Sequence, residues 1–176
     1  MPPQRVNLTD SGGRFRWWRT HLESIGAIAA GAFAHRPWCE TPADTARLIG
    51  RMCADSWHPG FVLTVAQASQ CMIGFAYGVP SSRLAALVEH PPTSGPAPFE
   101  FRELAVLPAA RGHGAGAALH DVLTAATLPG PRWLTTHPGA APAIALYHSR
   151  GWRTLRLVHD SSDGAPMTRV VMHRSW

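Results

Sequence analysis

The spacing of hydrophobic positions changes along the chain, and the changes mark its elements. Arg14 to Phe33, rich in Trp and Ala, reads as a helix that ends near Pro37. In Ala43 to Trp57 the apolar residues Ala46, Ile49, Met52 and Cys53 recur at helical spacing, with Thr41 as N-cap and Pro42 at the first helical position. The period then switches to that of strands. Phe61 to Ala66 and Met72 to Tyr77 are β-rich runs joined by the polar stretch Gln67 to Gln70, which predicts a hairpin. Gln4 to Thr9 is a weaker first strand. Residues 80–98, rich in Pro and Ser, read as a loop in which Arg83 to Glu89 forms a turn or two of helix. Phe99 to Leu107 is a strand stopped by Pro108, Gly114 to Ala126 a helix, and Arg132 to Thr136 a short strand. Pro142 to Arg150 is a helix closed by Gly151. Thr154 to His159 and Thr168 to His173 are final strands around the turn Ser161-Ser162-Asp163-Gly164. The order predicts an α+β fold: two helices, three meandering strands, then strand-helix-strand-helix-strand-strand.

At 176 residues the chain has the length of a single domain, and with 45% apolar and 15% charged residues it can build a full core. Lys and Arg number 16, and all are Arg; with 11 acids the formal charge is +5. The absence of lysine removes Schiff-base chemistry and the phosphate-gripping lysine of a P-loop. Cys39, Cys53 and Cys71 lack metal-ligand spacing, so no metal site is expected. Ile25 to Ala34 mimics the apolar part of a signal peptide behind Arg14, Arg16 and Arg19, but Glu23 abuts it and its Gly and Ala make it only weakly apolar. The expectation is a cytoplasmic protein with reduced thiols.

The segment richest in chemistry runs from Leu104-Ala105-Val106 through Pro108 to Arg111-Gly112-His113-Gly114-Ala115-Gly116-Ala117. A strand ends at a proline, a glycine-rich turn follows, and a helix begins. Glycines let successive N–H groups face inward around an anion, and the helix dipole adds to that field. Arg111 supplies a charge beside it. A dinucleotide-binding βαβ unit would need to come early in the chain and to carry an acid about twenty residues on, and neither holds.

These residues resemble the GNAT superfamily of N-acetyltransferases. Arg111 to Gly116 fits its [Q/R]-x-x-G-x-[G/A] signature, and Pro142-Ala143-Ile144-Ala145-Leu146-Tyr147-His148-Ser149-Arg150-Gly151-Trp152 is similar to its A-x-x-L-Y-x-x-x-G-[FW] helix. The resemblance implies a GNAT-like mixed sheet of about six to seven strands, flanked by about four helices and splayed between parallel strands. It also implies a variable, helical acceptor side over residues 1–60 and an acyl-CoA-binding core over residues 99–152. Acetyl-CoA or a related acyl-CoA would be the co-substrate. Its pantetheine would pair with the backbone of Leu104, Ala105 and Val106, and its pyrophosphate with the amides from Arg111 to Ala117. A backbone N–H near Val106 would polarise the thioester carbonyl.

Transfer would pass directly to the primary amine of a small molecule or peptide, with no acyl-enzyme. Tyr147 is the candidate acid for the departing thiolate. The base is open between Glu103, on the strand before the turn, and His137. Two positions depart from relatives: Ala140 stands where many carry Asn, and Thr135 where those acetylating protein N-termini often carry Glu. On the acceptor side, Trp17, Trp18, Trp38 and Trp57 with Glu40, Asp44 and Asp55 suit a cationic amine. A noncatalytic acyl-CoA-binding sensor or scaffold is the alternative, and a basic nucleic-acid-binding module is disfavoured by dispersed arginines. Dimers are frequent in the family, which makes a second copy of the chain a candidate partner.

Overall fold

A computed structural model of the chain describes residues 4–7, 21–91, 95–160 and 167–175. The start of the expected first helix, with Trp17 and Trp18, and the expected turn at Ser161 to Gly164 lie outside the described residues. Strands β1 (Gln4–Asn7), β2 (Val62–Ala68), β3 (Cys71–Pro80), β4 (Phe99–Val106), β5 (Arg132–Thr136), β6 (Arg153–Asp160) and β7 (Met167–Arg174) form one mixed sheet in the order β1-β2-β3-β4-β5-β7-β6. The helices are α1 (Leu22–Phe33), α2 (Pro42–Asp55), the short α3 (Arg83–Leu87), α4 (Ala115–Ala125) and α5 (Ala141–His148). This is the expected α+β architecture.

Local chemistry accounts for the element ends. Thr41 and Asp44 form a reciprocal capping box at the start of α2, with Pro42 in its first turn. The β2–β3 hairpin closes through Ser69 and Gln70 alone, both at positive φ (48° and 67°), so the strands run further toward the turn than their apolar pattern suggests. Gly151 sits at φ +80° behind α5.

The two faces of the sheet carry separate cores. On one face α1 and α2 pack Ile25, Ile28, Phe33, Leu48 and Met52 against Leu63, Phe75, Tyr77 and Ala105. On the other, α4 and α5 cover Ala76, Phe101, Val106, Leu134, Val170 and Met172, with Trp152 beneath them. β4 alternates between the two cores, sending Ala105 to the first and Val106 to the second.

The sheet's irregularity lies in β4. Its antiparallel register with β3 shifts between Tyr77↔Glu103 and Gly78↔Phe101, leaving Arg102 as an extra residue. Its parallel pairing with β5 covers Phe99↔Arg132, Glu100↔Trp133 and Phe101↔Leu134, then stops. Beyond Phe101, β4 continues to Val106 paired with β3 alone, and the two parallel strands part. Glycine is required opposite the bulge: a Cβ on Gly78 would lie 2.3 Å from the Glu100 carbonyl oxygen.

Glu100 holds this point. Its side chain is fully buried, accepts a hydrogen bond from the Leu84 amide at 2.7 Å and lies 3.1 Å from Arg102 Nη1. Arg102 in turn faces Asp55 at 3.6 Å, and Arg83 Nε lies 3.7 Å from Glu100. The contacts to the arginines are ionic rather than aligned hydrogen bonds. Removing one member of a buried ion cluster leaves the others uncompensated. Glu100→Ala is therefore expected to lower unfolding free energy by about 3 kcal/mol, read as a shift in denaturant midpoint at unchanged slope.

Candidate active site

The glycine-rich turn follows the free end of β4. A 3₁₀ turn at Pro108–Ala110 leads to Gly112 (φ +77°) and Gly114 (φ +82°), and α4 begins at Ala115. A Cβ at Gly112 or Gly114 would meet nothing within 4 Å, so the demand for glycine comes from the torsion angles and not from crowding. The Arg111 amide donates to Pro108 O at 3.2 Å, and the next backbone bond closing into α4 runs from Ala118 to Gly114 O at 2.9 Å. The amides of Ala115 to Ala117 open α4, where the first N–H groups of a helix meet no carbonyl of their own helix. With the exposed Gly112 to Gly114 before them, they form a row of donors at the positive end of a helix, which suits a pyrophosphate.

Arg111 itself is directed elsewhere. Its guanidinium donates to Val106 O at 3.2 Å and Ala32 O at 2.8 Å, tying the end of β4 to the end of α1. The His113 ring bonds the Arg111 carbonyl at 2.8 Å. Leu104, Ala105 and Val106 lie on the stretch of β4 that has left β5, with their main chain paired to β3 alone.

Tyr147, on α5, is buried beside Trp152, ring centroids 6.0 Å apart, and His120 at 6.3 Å. Its hydroxyl makes no hydrogen bond with a described residue. Burial, and then the charge of Glu103, push its ionisation far above the ordinary range, so the phenol keeps its proton at any working pH. The tyrosine stands on a polar support. Trp152 Nε1–H donates to His120 Nε2 at 2.8 Å, which leaves the proton of the neutral ring on Nδ1, facing Asp121 Oδ1 at 2.8 Å. Asp121 also takes two bonds from Arg150, at 2.8 and 3.1 Å. Burial holds the His120 pKa below its usual value, against the pull of Asp121.

Across the sheet from α4, a cavity of about 50 Å³ opens among α1, α2 and the strands, lined in part by Trp38, Glu40, Arg51, Glu103, Thr135 and Arg169. Glu103 points here, ion-paired with Arg51, whose Nε also donates to the Tyr77 hydroxyl at 3.4 Å. Glu103 is thus the group whose charge reaches both Tyr147 and the cavity. Glu40 stands in the same wall, its pKa pushed up to about 7 by burial and then by the Glu103 charge, against Arg169 and Arg51. His137 lies at the edge: its Nδ1 accepts from the Gly139 amide at 2.9 Å and its ring packs edge-on to Trp38 at 5.6 Å. Burial and Arg169 lower the His137 pKa. His148 bonds the Trp152 carbonyl at 3.1 Å, away from the cavity.

The site therefore brings together the turn, Tyr147 and Glu103, and adds Arg51 and Arg169, which the sequence pattern does not single out. Trp57 is 70% exposed and stands apart, and the face of Trp38 is taken by the Arg169 guanidinium at 5.4 Å. No group of three or more His, Cys, Asp or Glu among the described residues could hold a metal ion. None of the described helices is long and apolar enough to cross a membrane.

A family model described as acetyltransferase (GNAT) family matches residues 19–152. The chain belongs to the GNAT acetyltransferase family. It is an acyltransferase by that membership, and its fold recurs in solved relatives. One is a histone acetyltransferase HPA2 and related acetyltransferase from Corynebacterium glutamicum, 21% identical, TM-score 0.66, with 99% of this chain and 97% of that one covered. A ribosomal-protein-alanine N-acetyltransferase from Brucella melitensis is 17% identical, TM-score 0.62, with 98% and 99% covered. The paia N-acetyltransferase from Thermoplasma acidophilum, solved in complex with coenzyme A, is 12% identical, TM-score 0.60, with 98% and 99% covered. No curated protein matches the sequence.

In this GNAT chain the cavity carboxylates are open to a direct test. Glu40 binds its proton more tightly in the folded chain than at its ordinary pKa of 4.5, so it lowers stability as pH rises from about 4.5 and through about 7. Glu40→Gln removes that loss. The melting temperature of the variant relative to the natural chain should rise between pH 5 and pH 8, with Glu103, Asp44, Arg51 and Arg169 unchanged. A pH-independent difference would contradict the assignment.

Proposed function

We propose that the chain is an acetyl-CoA-dependent N-acetyltransferase that moves an acetyl group directly to a primary amine of a small molecule or peptide. The observation that carries this reading is the parting of β4 from β5, with the turn and Tyr147 on one side and the acidic cavity on the other. The amides from Gly112 to Ala117 would bind the pyrophosphate. Leu104, Ala105 and Val106 would present to the pantetheine the strand edge that β5 no longer pairs, with the Val106 carbonyl already held by Arg111. Arg111 serves by fixing the start of the turn to α1.

Bound acetyl-CoA supplies an activated thioester, and everything else falls to the chain. An amine attacks only when neutral, so a proton must leave its nitrogen. Glu103 is the base in reach of both halves of the site, and Glu40, with its raised pKa, is a second acceptor in the same wall. As the C–N bond forms and the C–S bond breaks, the sulfur leaves as a thiolate. The un-ionised Tyr147 hydroxyl can give it a proton and regain one as the nitrogen sheds its second proton on forming the amide. His137 acts on the packing of Trp38 and presents Nδ1 to a backbone amide, so Glu103 is preferred as base.

The test is release of CoA thiol from acetyl-CoA across an amine panel, with mass detection of the product. Tyr147→Phe should lower kcat about 100-fold with little change in the KM for acetyl-CoA. Unchanged kcat would remove Tyr147 from the chemistry. Tight CoA binding with no acetylated amine anywhere in the panel would favour the binding-module reading instead.

A further inference from the structure

The wall of the acceptor cavity contains four arginines, and three have carboxylate partners. Arg51 pairs with Glu103, Arg102 with Glu100 and Asp55, and Arg83 approaches Glu100. Arg169 forms no ion pair with a described residue. It projects from β7, whose neighbouring Val170 faces the opposite core, and lies over the indole of Trp38 at 5.4 Å. A guanidinium is a planar fork of five N–H donors, and no described residue accepts a hydrogen bond from that of Arg169. That geometry matches a planar carboxylate through two parallel bonds, which a point charge would not reproduce.

The remainder of the wall sets what must accompany that carboxylate. Glu40 and Glu103 offer negative charge to an ammonium or take its proton, and the charges of Arg169 and Glu103 both act on Glu40. A simple amine would satisfy the acidic side and leave Arg169 facing it unpaired. A diamine would set its second cation against Arg169, a like-charge contact. Only an acceptor carrying both signs a short distance apart complements both walls. Thr135 adds a small hydroxyl-bearing side chain on the β5 side.

We propose that the acceptor is an amine bearing its own carboxylate, a free amino acid or close analogue, with Arg169 as the residue that binds the carboxylate and so sets specificity. This rests on the N-acetyltransferase reading above and names the substrate class of the same site. A peptide N-terminus, whose α-carboxyl is locked in an amide, lacks the group that Arg169 selects.

The experiment uses the full chain, acetyl-CoA and matched triplets: an α-amino acid, its carboxamide and the decarboxylated amine, for several side chains. The amino acid in at least one triplet should exceed both partners at least tenfold in kcat/KM. In Arg169→Met the amino acid should lose at least tenfold in kcat/KM relative to its carboxamide and amine, chiefly through a raised KM, so that the preference collapses. Arg169→Lys should restore part of it. Equal or faster acetylation of the carboxamides or amines by the natural chain overturns the assignment while leaving the N-acetyltransferase reading standing, and this result needs no variant to fold. Loss of all three substrates alike in a folded Arg169→Met also overturns it. If no compound in any triplet is acetylated although acetyl-CoA is bound, this assignment falls, and the wider amine panel decides the N-acetyltransferase reading separately.

Discussion

A buried carboxylate governs where the sheet opens. Glu100 stands at the middle of the three residues over which β4 pairs with β5, and the ladder ends one residue later. An ionised side chain in that position is costly unless its oxygens are occupied. Arg102, the residue inserted by the bulge, approaches one oxygen at 3.1 Å, and the Leu84 amide donates to the other at 2.7 Å. Bulge and carboxylate thus stabilise each other, and the bulge sets which way the rest of β4 faces. Glu103 turns to the α1–α2 side, and Leu104 and Val106 to the α4–α5 side. Both halves of the candidate site inherit their positions from this one irregularity.

The arginines acquire a different meaning once their partners are known. Under a +5 formal charge they suggest a polyanion-binding surface. In the structure several spend their donors on the chain itself: Arg132 donates to the carbonyls of Gly130, Thr124 and Leu128 and to the Thr127 hydroxyl, Arg111 to those of Val106 and Ala32, and Arg150 to Asp121. A guanidinium has five N–H donors, so in a chain without lysine it carries many loop- and helix-end contacts. Net charge therefore overstates what is available for a partner.

Much of the fold was legible because its signals are local. Thr41-Pro42 starts a helix, Gly151 ends one, and the glycines at 112 and 114 require positive φ; each needs only its neighbours in the chain. Tyr147 stands out in its motif, and its spacing also fits the core packing it takes in the structure. The cavity was not legible. It joins Trp38 and Glu40 from the segment between two helices, Arg51 from α2, Glu103 from β4 and Arg169 from β7, residues separated by up to 131 positions between Trp38 and Arg169. The raised Glu40 pKa depends on Glu103 and on burial, and no local pattern encodes either. Arg111 illustrates the converse: beside a glycine-rich turn its charge reads locally as a ligand for an anion, and its tertiary contact with Ala32 has no local signal.

The stack of Arg169 on Trp38 gives the molecule an optical consequence. Among the described tryptophans, Trp133 and Trp152 are buried in the cores and Trp57 is 70% exposed, while Trp38 lines the cavity. An indole with a guanidinium over one face and Phe33 against it at 5.4 Å has an emission sensitive to any movement of that charge. The chain thus carries, within the proposed acceptor cavity, a fluorophore that can report occupancy without a label.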